Sequence, residues 1–267
     1  TFGNGVSYHS KRGKRFGVVK KEADPRVSIS ENTVNCFFEE ERFLWVGTTS
    51  GLERRDKRTG LYSRYRSIVG DETSLGAEPM FALFKDSRGT FWAGGWNSGL
   101  NRFDYETETF RRYMPSSDPR SIGGATIYDL LEDDQGKLWI ASDGGGLNRY
   151  DYDSDSFERF LHDPDNPGSL LDNHVNDILQ TRSGEIYVSV YRSLERFDPE
   201  SGVFKHFIHR SDVDNGNGGG DILALHEDSA GRIWLATNAG LEYFDPETER
   251  FRLFTEEDGL PSASVQA

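Results

Sequence analysis

The chain repeats itself. An aromatic residue stands ahead of a glycine-containing or polar turn at Trp45, Trp92, Trp139, Tyr187 and Trp234, at intervals of 47, 47, 48 and 47 residues. A leucine follows at Leu52, Leu100, Leu147, Leu194 and Leu241, and ten residues beyond each comes Tyr62, Phe110, Phe157, Phe204 or Phe251. A fixed period of this kind means that one supersecondary unit, too small to bury its apolar face alone, is stacked on copies of itself. Val6 and Phe16 keep the spacing of ten, and Gly259–Ala267 (GLPSASVQA) matches the opening of a copy such as Ser30–Cys36. The reading is five complete repeats, at about 29–66, 74–114, 121–161, 169–208 and 219–256, with half repeats at 1–20 and 259–267. On this reading residues 1–267 are one domain cut from a longer protein.

Within a repeat the pattern predicts four short strands. In the third copy they fall at Ile127–Glu132, Lys137–Ala141, Leu147–Asp151 and Phe157–Leu161, runs of aromatic and β-branched residues bounded by Gly, Asp, Ser and Pro. Turns such as Asp133-Asp134-Gln135-Gly136 suit tight hairpins, because glycine tolerates positive φ and aspartate bonds its own backbone. No window keeps a helical apolar period. Four antiparallel strands recurring every 47 residues or so predict an all-β chain, a β-propeller of four-stranded antiparallel blades. Each sheet is then covered on both faces, which explains doubly apolar first strands such as Met80-Phe81-Ala82-Leu83-Phe84. The anchor tryptophans are expected to fill the wedge between blades. An open β-solenoid fits less well, since its coils are usually shorter.

Composition removes several classes of function. A net charge of −14 argues against a nucleic-acid partner, whose phosphates call for a cationic surface. A single cysteine, Cys36, excludes an internal disulfide and a thiolate metal site; it replaces Leu83, Leu130, Ile178 and Leu225 of the other copies and reads as a core residue. Residues 1–267 show no leader-peptide pattern and no long apolar run, which says nothing of the parent protein, and no Gly-x-Ser-x-Gly elbow or zinc-protease helix. Asp151–Asp155 opens like a calcium loop but has Ser156 and His162 where the loop needs Gly and Glu, so it reads as a hairpin turn. Asp212–Asp221 is a better cation candidate, although it too lacks the bidentate Glu. No cofactor and no resident metal is expected. His206 and His209 read as surface residues of an outer strand and its end.

Residues common to all copies report on the fold, and residues that break the pattern report on function. Arg54, Arg102, Arg149 and Arg196 recur two after the marker leucine and are expected to pair with turn carboxylates. The turn between the second and third strands varies most: it carries Phe2, Thr49, Trp96 with Asn97, Asp143, Tyr191 and Asn238. In a propeller these turns share one face. Phe2, Trp96, Asn97, Asp143, Tyr191 and Asn238 are therefore the candidate ligand site, with aromatic faces to stack on sugar rings or pack on a partner and polar groups to hydrogen-bond. The competing reading lays the rings flat on a neighbouring blade. Asn35, Asp129 and Asp177 share a place ten before the anchor, on the innermost strand, and either line a central channel or bond to the next blade. No catalytic residue is assigned.

The repeat itself resembles the two-component regulator propeller family. The match is carried by Asp163–Ile178 (DPDNPGSLLDNHVNDI) with Gly184–Asp198 (GEIYVSVYRSLERFD), and by Gly231–Asp245 (GRIWLATNAGLEYFD). Tyr187 departs from the family's Trp, and the fifth copy has a Gly/Asn-rich lead-in in place of Pro-Ser-Leu. The resemblance implies a periplasmic ligand-sensing propeller of a bacterial signalling receptor such as a hybrid histidine kinase. It implies a small molecule or oligosaccharide as ligand, a homodimer made through the parent receptor, and a membrane reached only through that parent. The alternatives are a propeller enzyme of the virginiamycin-type lyase kind, for which His174, Asp129 and Asp177 are the loose candidates, and an interaction scaffold.

Overall fold

A computed structural model describes residues 6–9, 16–208, 220–254 and 256–260, with side chains from Val19 onward. Phe2, His209 and most of Asp212–Asp221 lie outside these residues, as does the tail from 261. The chain is all-β, with five four-stranded antiparallel sheets in which each strand pairs with its neighbour in sequence. It divides into two compact units, residues 1–115 with 125–127, and residues 116–124 with 128–267.

The first unit holds a hairpin, β1 (Val6–His9) and β2 (Phe16–Val19), and two full sheets. The first sheet is β3 (Val34–Glu39), β4 (Phe43–Thr48), β5 (Gly51–Asp56) and β6 (Tyr62–Tyr65). The second is β7 (Met80–Lys85), β8 (Phe91–Gly95), β9 (Leu100–Asp104) and β10 (Thr109–Tyr113). Trp45 is fully buried and stacks on Phe91 of the next sheet, centroids 4.2 Å apart, so the anchor aromatic does fill the space between sheets. Two residues past the anchor the chain needs a small residue. A Cβ on Gly94 would lie 2.6 Å from the Ile127 side chain, and one on Gly47 would lie 2.9 Å from Met80 Cβ.

The second unit holds most of β11 (Thr126–Glu132), then β12 (Leu138–Asp143), β13 (Gly146–Asp151) and β14 (Ser156–Phe160). A second sheet is β15 (Val175–Gln180), β16 (Ile186–Val190), β17 (Ser193–Asp198) and β18 (Val203–Ile208). The last is β19 (Ile222–Glu227), β20 (Ile233–Thr237), β21 (Gly240–Asp245) and β22 (Arg250–Phe254). Trp139 again reaches the following sheet, edge-on to Phe197 with centroids 5.2 Å apart. One cluster of buried side chains, including Trp139, Leu147, Val175, Val188 and Phe204, joins the first two sheets of this unit.

Two polar locks recur through the repeats. The residue after the marker leucine is buried and polar, and it accepts a hydrogen bond from a backbone N–H of the loop that leads into its sheet. Ser30 N–H donates to Glu53 (2.9 Å), Gly76 to Asn101 (2.9 Å), Gly123 to Asn148 (2.7 Å) and Leu171 to Glu195 (3.2 Å). Eleven residues on, the outermost strand donates to carbonyls of the same loop. Arg64 reaches Ser28 O (2.7 Å), Arg112 Asp71 O (3.0 Å), Arg159 Asp118 O (2.7 Å) and His206 Ser169 O (2.7 Å). Loop amides and carbonyls that no strand pairs are given partners this way. His206 is thus a half-buried lock residue and not the surface residue expected. Its ring is short enough to fit beneath the loop, and the loop carbonyl draws it inward.

Of the recurrent arginines, Arg54 pairs with Glu108 and Arg196 with Glu185, both turn carboxylates, whereas Arg149 pairs with Glu158 on β14. Among the described residues no helix is long and apolar enough to cross a membrane.

Candidate functional site

The turns that join second to third strands vary in sequence from copy to copy. In the second unit they present Asp143 after β12, Tyr191 after β16 and Asn238 after β20. The loops between sheets bring Asp172, His174 and Asp221 beside them. His174 is the link. Its Nε2 lies 3.0 Å from Asp143 Oδ1, and its Nδ1 lies 2.5 Å from Asp172 Oδ1. Asp172 also accepts the His174 backbone N–H at 2.9 Å, which fixes the loop and the imidazole together. The Tyr191 ring lies over the imidazole, with centroids 4.7 Å apart and planes tilted by 32°.

Tyr191 is 41% exposed and takes a left-handed φ of 45°. An L residue with a bulky side chain rarely adopts that conformation, so the turn holds the ring outward at some conformational cost. Its carbonyl accepts from Ile222 N–H at 2.7 Å, which ties the turn to the following sheet. Next door, Arg192 lies 3.9 Å from Asp221, and the Asn238 side-chain amide donates to Asp221 at 3.4 Å. The three predicted residues Asp143, Tyr191 and Asn238 thus stand at one end of three successive sheets. His174, Asp172 and Asp221 connect them.

The electrostatics follow from this grouping. Partial burial acts to raise the Asp172 carboxyl, but hydrogen bonds from the His174 ring and backbone outweigh it, and the pKa is lowered. The Tyr191 hydroxyl is raised, first by desolvation and then by the charges of Asp172, Asp143 and Asp221. Tyr128 is raised by burial and by the same Asp143. The site is a partly exposed, net-negative shelf with one outward aromatic face. Among the described residues no cluster of His, Cys, Asp and Glu is arranged to hold a metal ion.

In the first unit Trp96 is 47% exposed, and its backbone N–H donates to Pro79 O at 2.9 Å. Asn97, at φ 51°, donates its N–H to Thr126 Oγ1 at 3.1 Å. The indole therefore keeps a solvent-facing surface. Asn35 donates its side-chain amide to Met80 O of the next sheet at 3.1 Å. Asp129 accepts from Ile178 N–H at 3.1 Å, and Asp177 from Leu225 N–H at 2.5 Å, each carboxylate crossing to the next sheet. Both residues keep part of their surface exposed while the carboxyl groups are enclosed and bonded to each other. Burial raises both pKa values, Asp177 well above the usual range with the Asp129 charge adding to it. These two acids serve the sheet junctions, and His174 is joined to Asp143 and Asp172 instead.

The repeat pattern did not single out Asp172 or Arg192. It did carry the signal for the loop, because thirteen before the anchor stand Asn32, Pro79, Thr126, His174 and Asp221, five different residues in five copies. A cleft of about 530 Å³ lined by Glu185, Arg196, Asp198 and Lys205 lies at the opposite ends of the same strands, away from Tyr191.

The two-component regulator propeller family matches the chain at residues 121–144 and 216–239. No curated protein matches it in sequence. Among solved structures the chain is similar to the extracellular domain assigned to hybrid two-component system BT3049 of B. thetaiotaomicron. That likeness has a TM-score of 0.74 and 20% identity over 98% of this chain and 34% of that one. A second such domain, BT4673 of the same organism, gives 0.56 and 24% over 96% and 35%. A catalytically inactive virginiamycin B lyase from Staphylococcus aureus, solved with quinupristin, gives 0.65 and 11% over 95% and 78%. The chain spans about a third of the length of the two extracellular domains. Five four-stranded sheets at a 47-residue period and these likenesses in fold agree: the chain has the β-propeller fold, and its residues 121–144 and 216–239 match the two-component regulator propeller family.

Proposed function

We propose that the chain is a ligand-sensing extracytoplasmic propeller of a bacterial two-component receptor, and that its Asp143–His174–Tyr191 shelf binds a small molecule or oligosaccharide without turning it over. The observation that carries this reading is the convergence of one outward aromatic ring, two carboxylates and an imidazole from a turn of each of two successive sheets and the loop between those sheets. A sugar ring stacks on the Tyr191 face while its hydroxyls bond Asp143, Asp172 and Asn238. Trp96 and Asn97 offer a second aromatic and polar pair of the same turn class. The family match and the extracellular domains of similar fold support the sensor role and a periplasmic placement.

In the intact receptor, binding favours one arrangement of a homodimer. The ligand shifts that equilibrium only by its differential affinity for the two arrangements. A thermal-shift screen against neutral and acidic oligosaccharides, with and without calcium, tests the reading. A saturable rise in melting temperature that Tyr191→Ala and Asp143→Ala abolish is the expected result. No rise with any sugar in a folded sample counts against it.

The imidazole held between two carboxylates also favours a second reading, a lyase in which His174 moves a proton. Product formed from a bound sugar or cyclic peptide, and lost in His174→Ala, would select it.

A further inference from the structure

Glu195 differs from the lock residues of the first three repeats. Asn101 and Asn148 hold the same place in the second and third repeats. There the side-chain oxygen accepts the loop N–H, and the side-chain NH2 donates inward, from Asn148 to Ser142 Oγ (3.0 Å) and to the carbonyls of Gly145 and Gly146 (both 3.2 Å). Glu53 in the first repeat has Arg66 within 3.3 Å and Arg64 within 3.8 Å to balance its charge. Glu195 has neither device. Its side chain is wholly buried, Oε1 accepts from Leu171 N–H, and Oε2 has no hydrogen-bond partner. His206 Nε2 lies 3.5 Å from Oε2, yet it is committed to Ser169 O at 2.7 Å. An ionised carboxylate left unpaired at such depth is costly, whereas a protonated one is uncharged, like the shorter asparagine amide that fills the site in the second and third repeats.

The segment that Glu195 and His206 grip runs directly into the candidate site. Ser169 and Leu171 are the gripped residues, and Asp172 and His174 follow at once. We propose that Glu195 and His206 are positioning residues for this site: they set the Ser169–His174 segment from beneath, and Glu195 does so as an uncharged acid. This rests on the site reading above, but its test needs no ligand. The titratable groups facing Glu195 are His206 on β18 and Asp172 on the segment itself; Ser189 on β16 and Ser193 on β17 are uncharged. Burial, the first cause, and the Asp172 charge push the Glu195 acid up to about 8, against the Leu171 N–H and Ser193, which lower it. A group held above its unfolded pKa stabilises the fold fully below about pH 4, and that contribution is lost as the pH rises through the folded value near 8.

The experiment compares the chain with Glu195→Gln and His206→Gln by hydrogen exchange at Leu171 and His174 and by melting temperature, from about pH 5 to about pH 9. The expected result is a fall in melting temperature that is steeper in the parent than in Glu195→Gln, the remainder coming from the Asp129–Asp177 pair present in both. Exchange at Leu171 and His174 quickens in the parent as the pH passes about 8 by more than the general base-catalysed trend, and stays at that trend in Glu195→Gln. His206→Gln quickens exchange in the same segment at every pH. Identical pH profiles in parent and Glu195→Gln overturn the proposal, and so does unchanged segment exchange in both variants. Should Glu195→Gln fail to fold, the isosteric reading is overturned too, and Glu195→Asp with an unaltered profile would do the same. Confirmed positioning with no ligand response would leave this inference standing and remove the sensing reading alone.

Discussion

The Trp139 indole N–H donates to Asp133 Oδ2 at 2.7 Å, and both residues are buried. The same bond joins Trp92 to Asp86 and Trp234 to Asp228, each at 2.8 Å across six residues. Asp228 is thereby held well below the usual carboxylate range, by the indole first and then by Arg232 against burial. Where the anchor is Tyr187, the acid is replaced by Thr181, so the two positions change together. The turn aspartate is thus an indole acceptor as well as a hairpin residue.

Asp133→Ala orphans the Trp139 indole and two turn amides, from Gln135 and Lys137. The expected cost is about 2–3 kcal/mol, with the folded sheets retained. The fall in urea midpoint at constant slope measures it; an unchanged midpoint would show that the indole bond contributes nothing.

Arg159→Ala removes the clamp on Asp118 O and Ser121 O. Hydrogen bonds from a charged donor contribute about 1.5–3 kcal/mol, so a loss of that order is expected. Arg159→Lys restores only part of it, because an ammonium cannot span both carbonyls as the planar fork does. Denaturant titration of the three proteins decides.

Asp177→Asn separates the paired acids while keeping an oxygen for the Leu225 N–H. Burial raises both carboxyls, so their stabilising contribution is complete below about pH 4 and is lost as the pH rises through their raised folded values. The variant is expected to melt above the parent at about pH 8 and close to it at about pH 4, the gap being about 1.4 kcal/mol for each pKa unit by which the fold raises Asp177. Parallel melting curves across that range would show that the pair carries no proton.

Tyr191→Gly relieves a left-handed backbone and removes the aromatic face. Its melting temperature is expected to equal or exceed that of the parent, while any ligand response is lost. A marked fall in melting temperature would instead make the ring a packing element.

The period of 47 residues, the strand-and-turn alternation and the anchor aromatics were legible in the sequence because each is a local pattern repeated five times, and repetition averages out the accidents of any one copy. Predicted and observed strands of the third copy agree to within two residues. The candidate turns were legible for the opposite reason: Asp143, Tyr191 and Asn238 break a pattern that backbone packing does not enforce. What the tertiary structure decided is contact across sheets. Only there does His174 choose Asp143 and Asp172, and do Asp129 and Asp177 turn to each other. His206, which looked like surface, goes beneath a loop to meet a carbonyl. Asp172 aside, which is two residues from His174, those partners lie 31 to 48 residues apart along the chain, and no local period encodes which of several equivalent acids a side chain will meet. Hydrogen-bond geometry and burial select it once the sheets have packed.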